Sequence, residues 1–176
     1  MKKLLLLSYL IILLTSCGQN PESISHSKEM NTGNSKTSNN TIIKINQEAP
    51  NIIHIDLDKD GVSHGDLLAF DADVITNNNV KGILSGYLLT IFIPEENHEA
   101  FQEKMAQMVF DFGEGNTIVV GGKAVYPHKD KSEMIKNQPQ LRAIIGGTGT
   151  FIGVRGQIAT NRNSDGTYEH LIELIE

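Results

Sequence analysis

The chain has 176 residues, with 15 lysines and arginines against 21 aspartates and glutamates, a formal net charge of -6, and a single cysteine. Such a balance repels phosphates and anionic headgroups, which argues against nucleic acid as a partner and against a basic membrane-binding surface. One cysteine excludes an internal disulfide, so a fold of one domain's length has to be held by its core.

Lys2 and Lys3 open the sequence and are followed by an apolar run from Leu4 to Leu14, broken only by Ser8 and Tyr9. The run is shorter than the about 20 residues a membrane span needs, and it matches the h-region of a secretory signal. It ends on Leu14-Thr15-Ser16-Cys17, which resembles the lipobox of bacterial lipoproteins. That resemblance implies cleavage after residue 16 and a diacylglycerol thioether on Cys17. It also implies residence in the bacterial cell envelope as a membrane-anchored lipoprotein, on the periplasmic or cell-surface side. The plainer reading is an ordinary signal with an incidental cysteine. Removing Lys2 and Lys3 leaves 13 basic against 21 acidic groups, or -8.

Residues 17–51 are rich in Ser, Asn, Thr and Lys without periodicity and read as a flexible tether. Within it, Thr41-Ile42-Ile43-Lys44-Ile45 reads either as an early strand or as a segment packed on the domain edge. Beyond Asn51, short β-type runs closed by Gly, Asn or Asp predict eight strands: Ile52 to Asp58, Asp66 to Thr76, Val80 to Ile93, Lys104 to Phe112, Asn116 to Tyr126, Leu141 to Gly146, Arg155 to Arg162 and Thr167 to Ile175. Asn77-Asn78-Asn79, Gly113-Glu114-Gly115 and Asn163-Ser164-Asp165-Gly166 supply the turn chemistry. Pro94 to Ala100 has room for a helical turn, and Lys129 to Pro139 reads as a loop. The fold class is all-β, an eight-stranded antiparallel barrel over 52–176, since closure removes exposed edges.

On the last strand Tyr168, His170, Ile172 and Leu174 share one face and Glu169, Leu171, Glu173 and Ile175 the other. Ile83 to Ile93 is apolar on both faces, with Ile83, Tyr87, Leu89 and Ile91 on one and Leu84, Leu88 and Phe92 on the other. A stripe of that kind calls for a second buried surface, and self-association into a homo-oligomer supplies it.

Gly65-Asp66-Leu67-Leu68-Ala69-Phe70, Phe110-Asp111-Phe112-Gly113 and above all Ile145-Gly146-Gly147-Thr148-Gly149-Thr150-Phe151-Ile152-Gly153-Val154-Arg155-Gly156 resemble the plant allene oxide cyclase and dirigent barrels and their bacterial relatives, over about two thirds of the chain. The glycine block does not fit a dinucleotide loop, because from Gly147 the third glycine would fall on Ile152, and no P-loop Lys-Ser or Lys-Thr follows. Its expected role is steric, at sharp backbone reversals. The resemblance implies an eight-stranded barrel, often a trimer, that holds a small apolar molecule without cofactor and acts by constraining a reactive substrate. His54 and Asp56 stand where the cyclases carry Glu and Asn, Ala69 replaces their proline and Leu88 their cysteine, so genuine allene oxide cyclisation is not implied. Asp71 and Arg155 match dirigent positions, although Ala72 and Val154 depart from that pattern. With Leu67, Ala69, Asp71 and Asp73 taken as one face and Ala69 as a cavity residue, Asp71 is expected inward and paired with Arg155. His54 and Asp56 would join that polar floor beneath Leu88 and Phe92.

Asp56-Leu57-Asp58-Lys59-Asp60-Gly61 has the form of a calcium loop, with Asp56, Asp58 and Asp60 as its ligands, but Leu67 stands where the closing glutamate belongs. A solvated acidic turn is the competing reading. The six histidines lack zinc spacing, so no metal is expected, and His170 reads as a satisfied interior histidine. No serine lies in a nucleophile elbow, and the one thiol is assigned to lipid. Glu95, Glu96, Glu99 and Glu103 read as a solvated loop, and Met105 and Met108 as fillers of a cavity wall. The functions left open are a lipid-anchored module binding a small hydrophobic molecule, a cofactor-independent cyclase-like isomerase acting on a reactive apolar substrate, and a structural surface module without a ligand.

Overall fold

Alternation of in-facing and out-facing side chains organises nearly every element. The computed structural model describes residues 40–57, 60–93, 101–127 and 133–175. The signal, Cys17 and most of the tether therefore lie outside the described residues, as do Asp58 and the 94–100 segment. Nine strands follow in order: β1 Thr41–Gln47, β2 Asn51–Ile55, β3 Leu67–Thr76, β4 Lys81–Phe92, β5 Phe101–Asp111, β6 Thr117–Pro127, β7 Gln140–Thr148, β8 Arg155–Arg162 and β9 Tyr168–Ile175.

All neighbours are antiparallel, in the order β1-β9-β8-β7-β6-β5-β4-β3, and β1 closes the ring on β3 through Ile45↔Thr76 and Gln47↔Val74. The result is an eight-stranded barrel plus β2, which runs on along β3 after a jog at Glu48-Ala49-Pro50. β1 meets the early-strand reading of Thr41 to Ile45. It is a full barrel strand, paired with β9 along its whole length and burying Ile45 and Gln47. Pro50 interrupts the run and the preceding residues are polar, so the sequence left a strand and an edge segment both open.

Short turns join the strands at one end, and at the other the β2–β3, β4–β5 and β6–β7 connections are longer, whereas β8–β9 is a short turn. At the tight-turn end Gly113-Glu114-Gly115 all take positive φ, as does Asn79 in the β3–β4 turn. The glycine block has the steric role its sequence suggests. A Cβ on Gly147 would lie 2.5 Å from the Thr117 carbonyl oxygen, and one on Gly149, at φ +60, would strike Asn116. Thr148 Oγ1 donates to the Gly115 carbonyl at 2.6 Å and the Thr150 N–H to Asn116 Oδ1 at 2.9 Å, tying the β7–β8 corner to the β5–β6 turn.

Two layers fill the interior. Ile45, Val74, Leu84, Phe110, Ile118, Val120, Ile144, Ile158 and Ile172 pack the tight-turn half. Leu68, Leu88, Ala106, Ala124, Tyr126, Met134 and Tyr168 line the long-loop half. The expected faces of β9 hold, with Tyr168, His170, Ile172 and Leu174 inward. Those of β3 are reversed: Leu68, Ala72, Val74 and Thr76 are buried, while Asp71 and Asp73 are exposed.

Candidate ligand cavity

Beneath the long-loop end lies a cavity of about 40 Å³, walled by Ile52, Leu68, Phe70, Leu88 and Met108 on its apolar side. Gln47, Tyr126, Arg142, Thr160, Tyr168 and His170 face it from the other side, with Pro50 and Met134 at its edge. The space holds roughly three waters, so a larger guest has to displace a side chain. Met134 is suited to yielding, being flexible and unbranched. It stands on the irregular segment 133–139, held to β8 and the β8–β9 turn by an Arg162–Glu133 ion pair of 2.6 Å and by Asn137 N–H to the Arg162 carbonyl at 3.4 Å.

The polar wall divides into a satisfied half and an unsatisfied one. His170, fully enclosed, has Nε2 2.8 Å from Gln47 Oε1 and Nδ1 3.0 Å from Thr160 Oγ1. With the glutamine oxygen as acceptor, Nε2 carries the proton and the threonine hydroxyl donates to Nδ1. Burial, reinforced by the Arg142 charge, pushes His170 down to about 3, so the ring is neutral. It is the satisfied interior histidine that the sequence suggests.

Arg142 is 5% exposed, yet among the described residues its one hydrogen bond runs from Nη2 to Gln140 Oε1 at 3.0 Å. Its Nε and Nη1 are buried without a partner. Burial pulls the guanidinium below its ordinary range, and Tyr126 and Tyr168 offset this only in part. Burial in turn pushes both tyrosine hydroxyls up, so they stay protonated and available as hydrogen-bond donors.

A second, open pocket flanks the mouth, lined by His54, Asp56, Asp66, Gln102 and Lys104 among others. Lys104 Nζ donates to Thr90 Oγ1 at 2.7 Å, and its burial lowers its pKa against the opposing charge of Asp66. Partial burial works against the Asp66 charge, but Ser63, donating from its backbone at 2.5 Å and its hydroxyl at 2.7 Å, holds the carboxyl below its usual range.

Of the residues expected to form the site, only Leu88 lines this first cavity. His54 and Asp56 are exposed at the second pocket, and Ala69 lies on the outward face of β3 opposite Tyr87. Phe92 is 49% exposed. Asp71 faces solvent, accepting from Asn51 Nδ2 at 3.2 Å, and Arg155 is exposed with Nη1 donating to the Ile145 carbonyl at 3.2 Å. The expected Asp71–Arg155 pair is thus corrected. Aligning Ala69 with a cavity residue set the parity of β3, whereas the cost of enclosing Asp71 and Asp73 sets it the other way. Met105 points outward on β5, and only Met108 fills the wall. Asp56 turns its carboxylate onto the Gly61 N–H at 3.0 Å, and among the described residues no three His, Cys, Asp or Glu side chains converge as metal ligands. Sequence reasoning passed over Arg142, although it shares the inward face of β7 with Ile144, because Leu141, Ala143 and Ile145 make the opposite face equally apolar.

A similar architecture recurs among solved structures. A pyocyanin demethylase superposes with TM-score 0.54 at 15% identity, over 77% of this chain and 98% of that one. A heme-binding cyclase that catalyses a 4 + 2 cycloaddition in neoabyssomicin biosynthesis gives 0.57 at 14%, over 78% and 64%. A pterocarpan synthase dirigent protein gives 0.50 at 17%, over 88% and 99%. The fold is allene oxide cyclase/dirigent-like. No family model matches the sequence, and no curated protein matches it. At these identities the likeness is one of fold, and the side chains inside this dirigent-like barrel have to be read on their own terms.

Proposed function

We propose that the barrel binds a small apolar molecule at the long-loop end of its interior, in a protein held to the bacterial envelope by lipid on Cys17. The carrying observation is the cavity itself, whose apolar wall of Leu68, Phe70, Leu88 and Met108 faces a polar wall in which Arg142 has donors to spare. The names of the neighbours, a demethylase, a cycloaddition catalyst and a dirigent protein, support a guest in a barrel of this shape without saying which. A cyclase-like isomerase is the second reading. The same spare donors of Arg142 would stabilise negative charge developing on a substrate oxygen inside a constraining cavity.

The barrel also self-associates in this proposal, through an outer band that runs from Ile53 and Ile55 of β2 across Leu67 to Tyr87, Leu89 and Ile91 of β4 and Met105 of β5. Native mass spectrometry of the purified protein reads both features together. It should give an oligomer, with a trimer expected, carrying a small-molecule adduct that organic extraction removes. A bare monomer would favour a structural module without a ligand. For the anchor, Cys17→Ser should move the protein from the membrane to the soluble fraction. Unchanged fractionation would refute the lipid attachment.

A further inference from the structure

Resting on the ligand-binding reading, we infer that the guest is an apolar acid: a compact hydrophobic molecule bearing one carboxylate, which Arg142 neutralises inside the barrel. Arg142 is enclosed on the wall of the cavity, and its Nε–H and the hydrogens of Nη1 meet no acceptor. Among the described residues its one hydrogen bond is to the neutral amide of Gln140, and no carboxylate pairs with it. An enclosed charge without a counter-charge is among the most costly features a core can carry, and native structures keep one when something outside the fold completes it.

The neighbouring groups define what that something is. His170 has both ring nitrogens occupied by Gln47 and Thr160 and carries no charge. Arg162 is already matched by Glu133. Among the described residues the cavity thus presents one unmatched positive charge, which suits a monoanion rather than a phosphate. The planar guanidinium fork fits the two oxygens of a carboxylate. Tyr126 and Tyr168 stand on the same wall, and Leu68, Phe70, Leu88 and Met108 receive the hydrophobic body. Neither water nor a small anion alone would use that apolar half.

The test is calorimetric titration of the purified protein with 1-naphthaleneacetate, its uncharged amide, and acetate. The acid should bind at least tenfold more tightly than the amide, and acetate should not bind measurably. Arg142→Met should abolish the difference between acid and amide by weakening acid binding at least tenfold, and Arg142→Lys should restore part of it. The Arg142→Met barrel should also melt at or above the temperature of the parent without ligand, since a buried unpaired charge has been removed. Equal affinity for acid and amide in the parent, acid preference that survives in Arg142→Met, or acetate binding as tight as the aryl acid would each overturn the carboxylate inference while leaving apolar binding in place. Binding of neither aryl compound would overturn the ligand-binding reading beneath it, and this inference with it.

Discussion

His170 shows how much a single side chain can govern in this barrel. It bridges Gln47 of β1 and Thr160 of β8, and its ring meets Phe110 edge-on with centroids 5.1 Å apart. Its folded pKa, about 3, lies below the about 6.5 of an unfolded chain. Below that higher value the unfolded state takes the proton first. The stabilisation is therefore complete above about pH 6.5 and is lost as pH falls toward 3, with a slope of at most about 1.4 kcal/mol per pH unit for one proton. Between pH 6.5 and 5, before most carboxylates titrate, the urea midpoint of the parent should fall, and that of His170→Gln should stay nearly flat from a lower start. Parallel falls in the two proteins would contradict the assignment. His170 was legible in the sequence because Tyr168, Ile172 and Leu174 share its parity. Asp71 was misplaced because a resemblance at Ala69 was given more weight than the cost of enclosing a carboxylate.

Among the elements, the β8–β9 pair is the most tightly specified by sequence. Gly156 sits at φ +154 opposite Leu174, and a Cβ there would run into the Glu173 carbonyl of the neighbouring strand. Gly153, three residues earlier, has φ +82 but open space around it. Gly156→Ala should therefore cost about 3 kcal/mol or more, through backbone collision added to strain. Gly153→Ala should cost only the about 1–2 kcal/mol of a left-handed residue. Thermal unfolding of the two variants separates these cases, and equal losses would show that the β8–β9 contact is not rigid. Most strands were legible because glycine and asparagine turns punctuate them. Arg155–Arg162 has the expected bounds, and the β5–β6 turn takes the left-handed conformations its glycines allow. β1 was legible only as one of two readings, since its pairing with β9 and β3 is long-range and no local turn announces it.

Taken whole, the barrel is partly inside-out. Gln47, Thr90, Gln102, Lys104, Arg142, Thr160, Arg162 and His170 are buried, while Ile83, Tyr87, Ile91, Met105, Leu141 and Ile145 lie outside. Strand number and closure do not depend on which face is greasy, so the fold class could be read from the sequence. The site was legible only in part, at Leu88, Met108 and His170, because Gln47, Arg142 and Thr160 are polar residues that an apolar-inside rule assigns to the surface. The same inversion leaves an apolar outer band for assembly and polar groups for a guest, and the central claim is that this guest sits in the long-loop half. Carbon-13 methyl spectra of methionine-labelled protein test it directly. Met108 and Met134 border the cavity, whereas Met105 lies on the outer wall at 48% exposure. Titration with 1-naphthaleneacetate should shift the Met108 and Met134 methyl signals saturably and leave Met105 in place. Movement of Met105 alone, or of none of the three at millimolar probe, would contradict the account.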